Sequence, residues 1–96
     1  MIGKENPVTE IWITKYALSS GILRAFGRRL DADYLRGNYY RQCNEDGSPK
    51  ILAAFLKMGR DCELTHIDAV RAAQNMRLKK IEVLKKQIAK LEKKTF

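Results

Sequence analysis

The sequence predicts an α+β fold: a small antiparallel β-sheet followed by one long C-terminal α-helix that forms a short coiled coil. Three observations predict it. Residues 10–30 hold two strand-like runs, rich in β-branched and aromatic side chains, on either side of a short Ser/Gly turn. From His66 to Lys94 there is no Gly or Pro, and good helix formers dominate. Within that stretch Ile81, Leu84, Ile88 and Leu91 recur at the a/d spacing of a coiled-coil seam. Residues 1–65 are read as the β domain and residues 66–96 as the basic helix, together one structural unit.

The first strand is expected in "EIWITKYAL", where Trp12, Thr14, Tyr16 and Leu18 alternate against Ile11, Ile13, Lys15 and Ala17. "SSG" follows as a turn in which Gly21 supplies positive φ. In "ILRAFGRRL" the set Ile22, Arg24, Phe26, Arg28 and Leu30 alternates against Leu23, Ala25, Gly27 and Arg29. Two such runs joined by a short turn predict a hairpin over 10–30. Gly27 inside the second run signals a bulge or a close backbone approach. A short strand is expected around Tyr39–Cys43, a turn at "NEDGSP", and a further strand in "KILAAFLKM", ended by "GRD".

Thr65 marks the start of the helix. "THID" has the form of a capping box, with the Thr65 hydroxyl accepting from the N–H of Asp68 and the Asp68 carboxylate reaching back. A helix of about 29 residues spans roughly 43 Å at ~1.5 Å per residue. A body of about 65 residues is only roughly 28 Å across. About ten residues therefore overhang, and they carry the seam. Backward from Ile81 the same face holds Val70 and Ala73 and is interrupted by Gln74 and Arg77, where packing on the sheet gives way to packing on a partner helix. Lys79, Lys86 and Lys93 fall at f positions with Lys90 at c, so the lysine face lies opposite the seam. The expected assembly is a homodimer through Val70, Ala73, Arg77, Ile81, Leu84, Ile88 and Leu91.

Composition narrows the function classes. The 96-residue chain is 45% hydrophobic and 31% charged, which indicates one folded domain with a modest core. The net charge of +8 is uneven. Residues 1–65 hold ten Lys/Arg and eight Asp/Glu, whereas residues 66–96 hold nine and three. A basic helix points to an acidic partner: a host protein, a ribonucleoprotein complex, or DNA or RNA directly. Arg24, Arg28 and Arg29 of the hairpin join Lys79, Lys86, Lys90 and Lys93 as the candidate basic surface. Tyr34, Tyr39 and Tyr40, near Arg36 and Arg41, are candidates for stacking on bases. No apolar run approaches the ~20 residues of a membrane span, and the apolar side of the helix lacks the Trp or Phe anchors of a membrane-surface helix. The N-terminal residues lack the apolar core of a signal peptide, so Cys43 and Cys62 are expected as reduced thiols in a cytoplasmic protein.

"WITKYALSSGI" and "AQNMRLKKIEVLKKQIAKLEK" together resemble a group of short uncharacterised proteins from phages, prophages and other mobile elements. Their pattern is a hairpin opening W-I-x-K-Y-A-L-x-x-G-I and a closing helix M-R-x-K-K-I-x-x-L-K-K-Q-I-x-K-L. The similarity covers residues 11–22 and about 66–92, while "RLDADYLRGNYYRQCNEDGSP" departs from it. The resemblance implies origin and architecture. With the basic charge it leads to an expected function: a dimeric inhibitor or modulator of a bacterial host machine, such as a CRISPR-type immunity complex. The alternative is a sequence-tolerant DNA- or RNA-binding protein.

No catalytic signature is present. There is one histidine, His66, expected as an ordinary first-turn residue, and no G-x-S-x-G, P-loop or Gly-rich phosphate cradle. Cys43, Cys62 and His66 have no familiar metal-ligand spacing, and Asp31 and Asp33 have no evident catalytic partners. The expectation is a non-enzyme with no cofactor, no metal and no small-molecule substrate.

Overall fold

The computed structural model describes residues 6–31 and 38–95. Asp33, Tyr34 and Arg36 lie outside the described residues. Five strands, β1 (Val8–Ile13), β2 (Leu23–Arg29), β3 (Tyr39–Cys43), β4 (Phe55–Lys57) and β5 (Cys62–Glu63), precede the long helix α2 (His66–Glu92). A four-residue helical turn, α1 (Ala17–Ser20), lies between β1 and β2. The sheet order is β4-β3-β2-β1-β5, antiparallel throughout. Met58, just past β4, makes one isolated parallel bridge to Cys62 of β5, so the two edges approach through one turn and the sheet curls into a small, incompletely closed barrel.

The curl explains the core. Ile11 and Ile13 of β1 pair with Ala25 and Leu23 of β2, which fixes them on one face. Tyr40, Leu56 and Cys62 share that face by register. Ile11, Ile13, Ala25, Tyr40, Leu56 and Cys62 form one buried cluster with Ala54 and Met58 packed against it. These residues point into the barrel, and α2 packs chiefly against α1, β5 and β1. Because the side-chain period is two, Trp12, Arg24, Phe26, Arg28, Tyr39, Arg41, Phe55 and Lys57 face outward.

The hairpin expected over 10–30 exists, but its first strand ends at Ile13 rather than Leu18. The backbone N–H groups of Thr14 and Lys15 leave the ladder and donate to the Asp61 carbonyl at 3.0 and 3.2 Å. Tyr16 and Leu18 then belong to the connection and are half exposed. Gly21 closes α1 with φ +79, as the turn requires. At Gly27 the register continues unbroken, so there is no bulge. The close approach is real: a Cβ there would lie 3.1 Å from the Arg41 carbonyl and 3.3 Å from Ile11 Cδ1. The strand expected across "KILAAFLKM" is confined to Phe55–Lys57, and Ile51 and Leu52 sit exposed in the preceding turn.

Asp61 ties the last turn to the barrel. Its carboxylate accepts from the Lys57 N–H at 3.0 Å and from two nitrogens of Arg60 at 3.1 and 2.8 Å. The Arg60 guanidinium holds the Asp61 carboxyl below the usual carboxylate range, against the opposing effect of burial.

Thr65 caps α2 as expected, its hydroxyl accepting from the Asp68 N–H at 3.1 Å. The Asp68 carboxylate pairs with Arg71 at 3.5 Å. Ala69 is fully buried; Val70, Ala72, Ala73 and Met76 are half-buried. The small side chains at 69, 72 and 73 let the helix backbone come close to α1 and the β1–β5 end of the barrel. From Arg77 onward every described residue is exposed. Sixteen helical residues, 77–92, therefore project from the body, more than the ten expected from length alone. The molecule extends 66 × 27 × 23 Å with a radius of gyration of 17.8 Å, against about 12 Å for a compact chain of this length.

Candidate functional site: the projecting helix and the basic surfaces

The docking stripe and the seam of α2 are distinct. Ala69, Ala72, Ala73 and Met76 follow one another at helical spacing and face the barrel. Ile81, Leu84, Ile88 and Leu91 lie about a quarter-turn round the helix, counted at ~100° per residue, and remain 41, 43, 54 and 67% exposed. Val70 and Ala73 sit where the two stripes meet and are partly covered by the body, while Arg77 is exposed beyond it. Ile67 and Leu78, also exposed, flank the seam on one side. The stripe is presented to water along the projecting helix, and no other described part of the chain covers it. Among the described residues no helix is long and apolar enough to cross a membrane.

The hairpin arginines do not form a single basic surface. Arg24 pairs with Glu10 at 2.6 Å across β1–β2 and lies 5.0 Å over the Phe26 ring. Arg28 donates to the carbonyls of Asn6 at 2.6 Å and Gly47 at 3.4 Å. Arg29, one residue on, belongs to the opposite side of the strand and pairs with Asp31 at 3.3 Å. These guanidinium groups tie β2 to β1, to the residues flanking the two strands and to the 44–48 turn. The helix lysines differ: among the described residues Lys79, Lys86, Lys90 and Lys93 enter no ion pair. The two halves of the expected basic surface are thus separated, one engaged in the body and one free on the projection.

The tyrosines divide in the same way. Tyr40 points into the barrel and is buried, whereas Tyr39 points outward beside Lys57. Sequence reasoning missed Phe55 and Lys57, which β4 brings opposite Arg41 and Tyr39. The signal was present in "FLK", where Phe55 and Lys57 are two apart, but their strand neighbours are set by tertiary register. A cleft beside this region, between the ends of β2 and β3 and the 44–49 turn, is lined by Arg28, Arg29, Asp31 and Arg41.

Cys43 and Cys62 are both free and buried, on opposite faces of the sheet. Burial pushes the Cys62 thiol up to about 11, with Asp61 and Glu63 adding to the shift. Such a thiol is a packing group rather than a nucleophile. His66 packs against Trp12 with the rings tilted by 55° and their centroids 4.8 Å apart, and so helps seat the first turn of α2. Among the described residues no group of three or more His, Cys, Asp or Glu is gathered as metal ligands would be. Comparison with family models, curated proteins and solved structures yields no match to the chain.

Proposed function

We propose that the chain is a non-catalytic binding protein that forms a homodimer through α2 and offers the lysine side of the helix pair to an acidic partner. The observation that carries this reading is the projection of residues 77–92, with the Ile81–Leu91 seam on one side and Lys79, Lys86 and Lys93 on the other. A lone helix of about 16 residues is marginal in water. Pairing supplies the burial that would hold it.

With the resemblance to mobile-element proteins, this arrangement favours a bacterial host machine as target. Occupying an acidic surface or the nucleic-acid path of a complex such as a CRISPR-type immunity assembly would inhibit or modulate it. The unpaired state of the four helix lysines also supports a second reading, direct binding of nucleic-acid phosphates by the helix.

Sedimentation equilibrium on the full chain tests the assembly. The expected result is a monomer–dimer equilibrium in the micromolar range; a monomer up to hundreds of micromolar refutes it. Binding of duplex DNA by the parent and by a Lys79→Gln/Lys86→Gln/Lys90→Gln/Lys93→Gln variant separates the partner readings. Equal duplex binding by the two forms removes the lysine face as a phosphate site.

A further inference from the structure

β2, β3 and β4 carry five basic residues and no acidic one. Register sorts them. Arg41 lies directly opposite Phe55, and Tyr39 opposite Lys57, all four on the outer face at the β4 edge. Arg28 is the other cross-strand neighbour of Arg41. Like charges placed opposite each other are unfavourable. Arg28 relieves the contact by turning to the Asn6 and Gly47 carbonyls. Arg41 stays exposed, with no ion pair or side-chain hydrogen bond among the described residues, and Phe55 beside it is 55% exposed. A cation thus stands opposite an aromatic ring twice, at the exposed pair Arg41–Phe55 and at the half-buried pair Lys57–Tyr39. The two pairs stand two residues apart along the strands, about 6.6 Å.

We propose that this outer face of β3–β4 binds single-stranded nucleic acid, with phosphates on Arg41 and Lys57 and bases stacked on Phe55 and Tyr39. Charge complementarity selects an anionic ligand, and the exposed Phe55 ring, with the half-buried Tyr39 beyond it, selects one that brings flat faces with its charge. A duplex keeps its bases stacked on one another and does not offer those faces. The site shares no residue with the helix surface of the proposed function, so the two stand or fall separately.

The test is fluorescence anisotropy of labelled oligothymidylate and oligouridylate, with a duplex of equal length as comparison. The parent should bind both single strands at low salt and the duplex several-fold more weakly. Arg41→Gln/Phe55→Ala should weaken single-strand binding about tenfold or more and make the salt dependence shallower by about one phosphate contact. Phe55→Trp, which keeps a stacking face, should bind as the parent does. The four-lysine helix variant serves as a second background that keeps the two sites apart: adding Arg41→Gln/Phe55→Ala to it should still weaken single-strand binding about tenfold or more. Both substituted positions are exposed, and circular dichroism checks that the variants fold; if Phe55→Ala does not, Arg41→Gln and Phe55→Trp decide alone. Parent-like binding by the Arg41 variant, equal affinity for duplex, absence of binding by the parent, or equally effective displacement by polyglutamate would each overturn the proposal, the last in favour of an acidic polypeptide ligand.

Discussion

Replacing Leu84 and Ile88 together by Gln should convert the proposed dimer to a monomer. Ile81, Leu84, Ile88 and Leu91 are 41, 43, 54 and 67% exposed, so each protomer offers the equivalent of about two whole aliphatic side chains. At about 1.5–3 kcal/mol per side chain, a dimer gains roughly 6–12 kcal/mol from the seam. Association itself costs about 4–15 kcal/mol. A micromolar dimer needs about 8 kcal/mol net, so flanking residues such as Ile67 and Leu78 must contribute. The double substitution removes about half the seam, roughly 3–6 kcal/mol per dimer, and leaves amides to be desolvated. Loss of 3 kcal/mol alone weakens association roughly a hundredfold. Sedimentation at tens of micromolar then reads monomer for the variant. Far-UV circular dichroism should show the helix signal of the parent falling on dilution and that of the variant low at all concentrations. A variant with the parent's mass, or a parent whose helicity does not depend on concentration, refutes the reasoning.

If the two helices pair in parallel, Lys80 faces Lys85 of the partner helix and added salt should strengthen the dimer by screening that repulsion; dissociation with salt would indicate ionic assembly instead. Gly27→Ala should destabilise the barrel by about 1–3 kcal/mol in urea unfolding, since the new Cβ meets the Arg41 carbonyl and Ile11. Asp61→Asn should cost about 1–2 kcal/mol at neutral pH by losing the charged acceptor for Lys57 N–H and Arg60. The folded-state pKa of Asp61 lies below its unfolded value, so this carboxylate stabilises above about pH 4 and loses its effect as pH falls through the depressed value. The gap between parent and variant should therefore close toward low pH, and a constant gap would contradict the assignment. Cys62 should resist alkylation in native protein near neutral pH and react on unfolding, because its thiol is buried and pushed up to about 11.

Local chemistry made several features legible from sequence. Thr65 was readable as a cap because the bond it makes spans three residues and needs no tertiary partner. The helix that follows was readable because a long stretch without Gly or Pro has little alternative, and Gly21 because positive φ suits few other residues. Period-two alternation grouped Ile11 with Ile13 and Ala25 with Leu23 and Gly27, and only the folded sheet showed that Ile11, Ile13 and Ala25 face inward. The same alternation overran at Thr14: the strand ends where Asp61, distant in sequence, takes the N–H groups of Thr14 and Lys15. The candidate basic surface was legible as residue types and not as a surface. Arg24, Arg28 and Arg29 read as available cations until their partners Glu10, Asn6 and Asp31 were placed beside them.

Sequence by itself determined the α+β class, the cap and length of α2, and the separation of its seam from its lysine face, all set by backbone geometry and short-range periodicity. Tertiary structure alone decided how much of α2 stays free, because that depends on where Ala69 and Met76 find the barrel. It also decided which cations find partners and which stand beside aromatic rings, because strand register joins Arg41 to Phe55 and Tyr39 to Lys57. Cross-strand pairing is a long-range choice made by burying Ile11, Tyr40 and Leu56 together, and no local pattern encodes it.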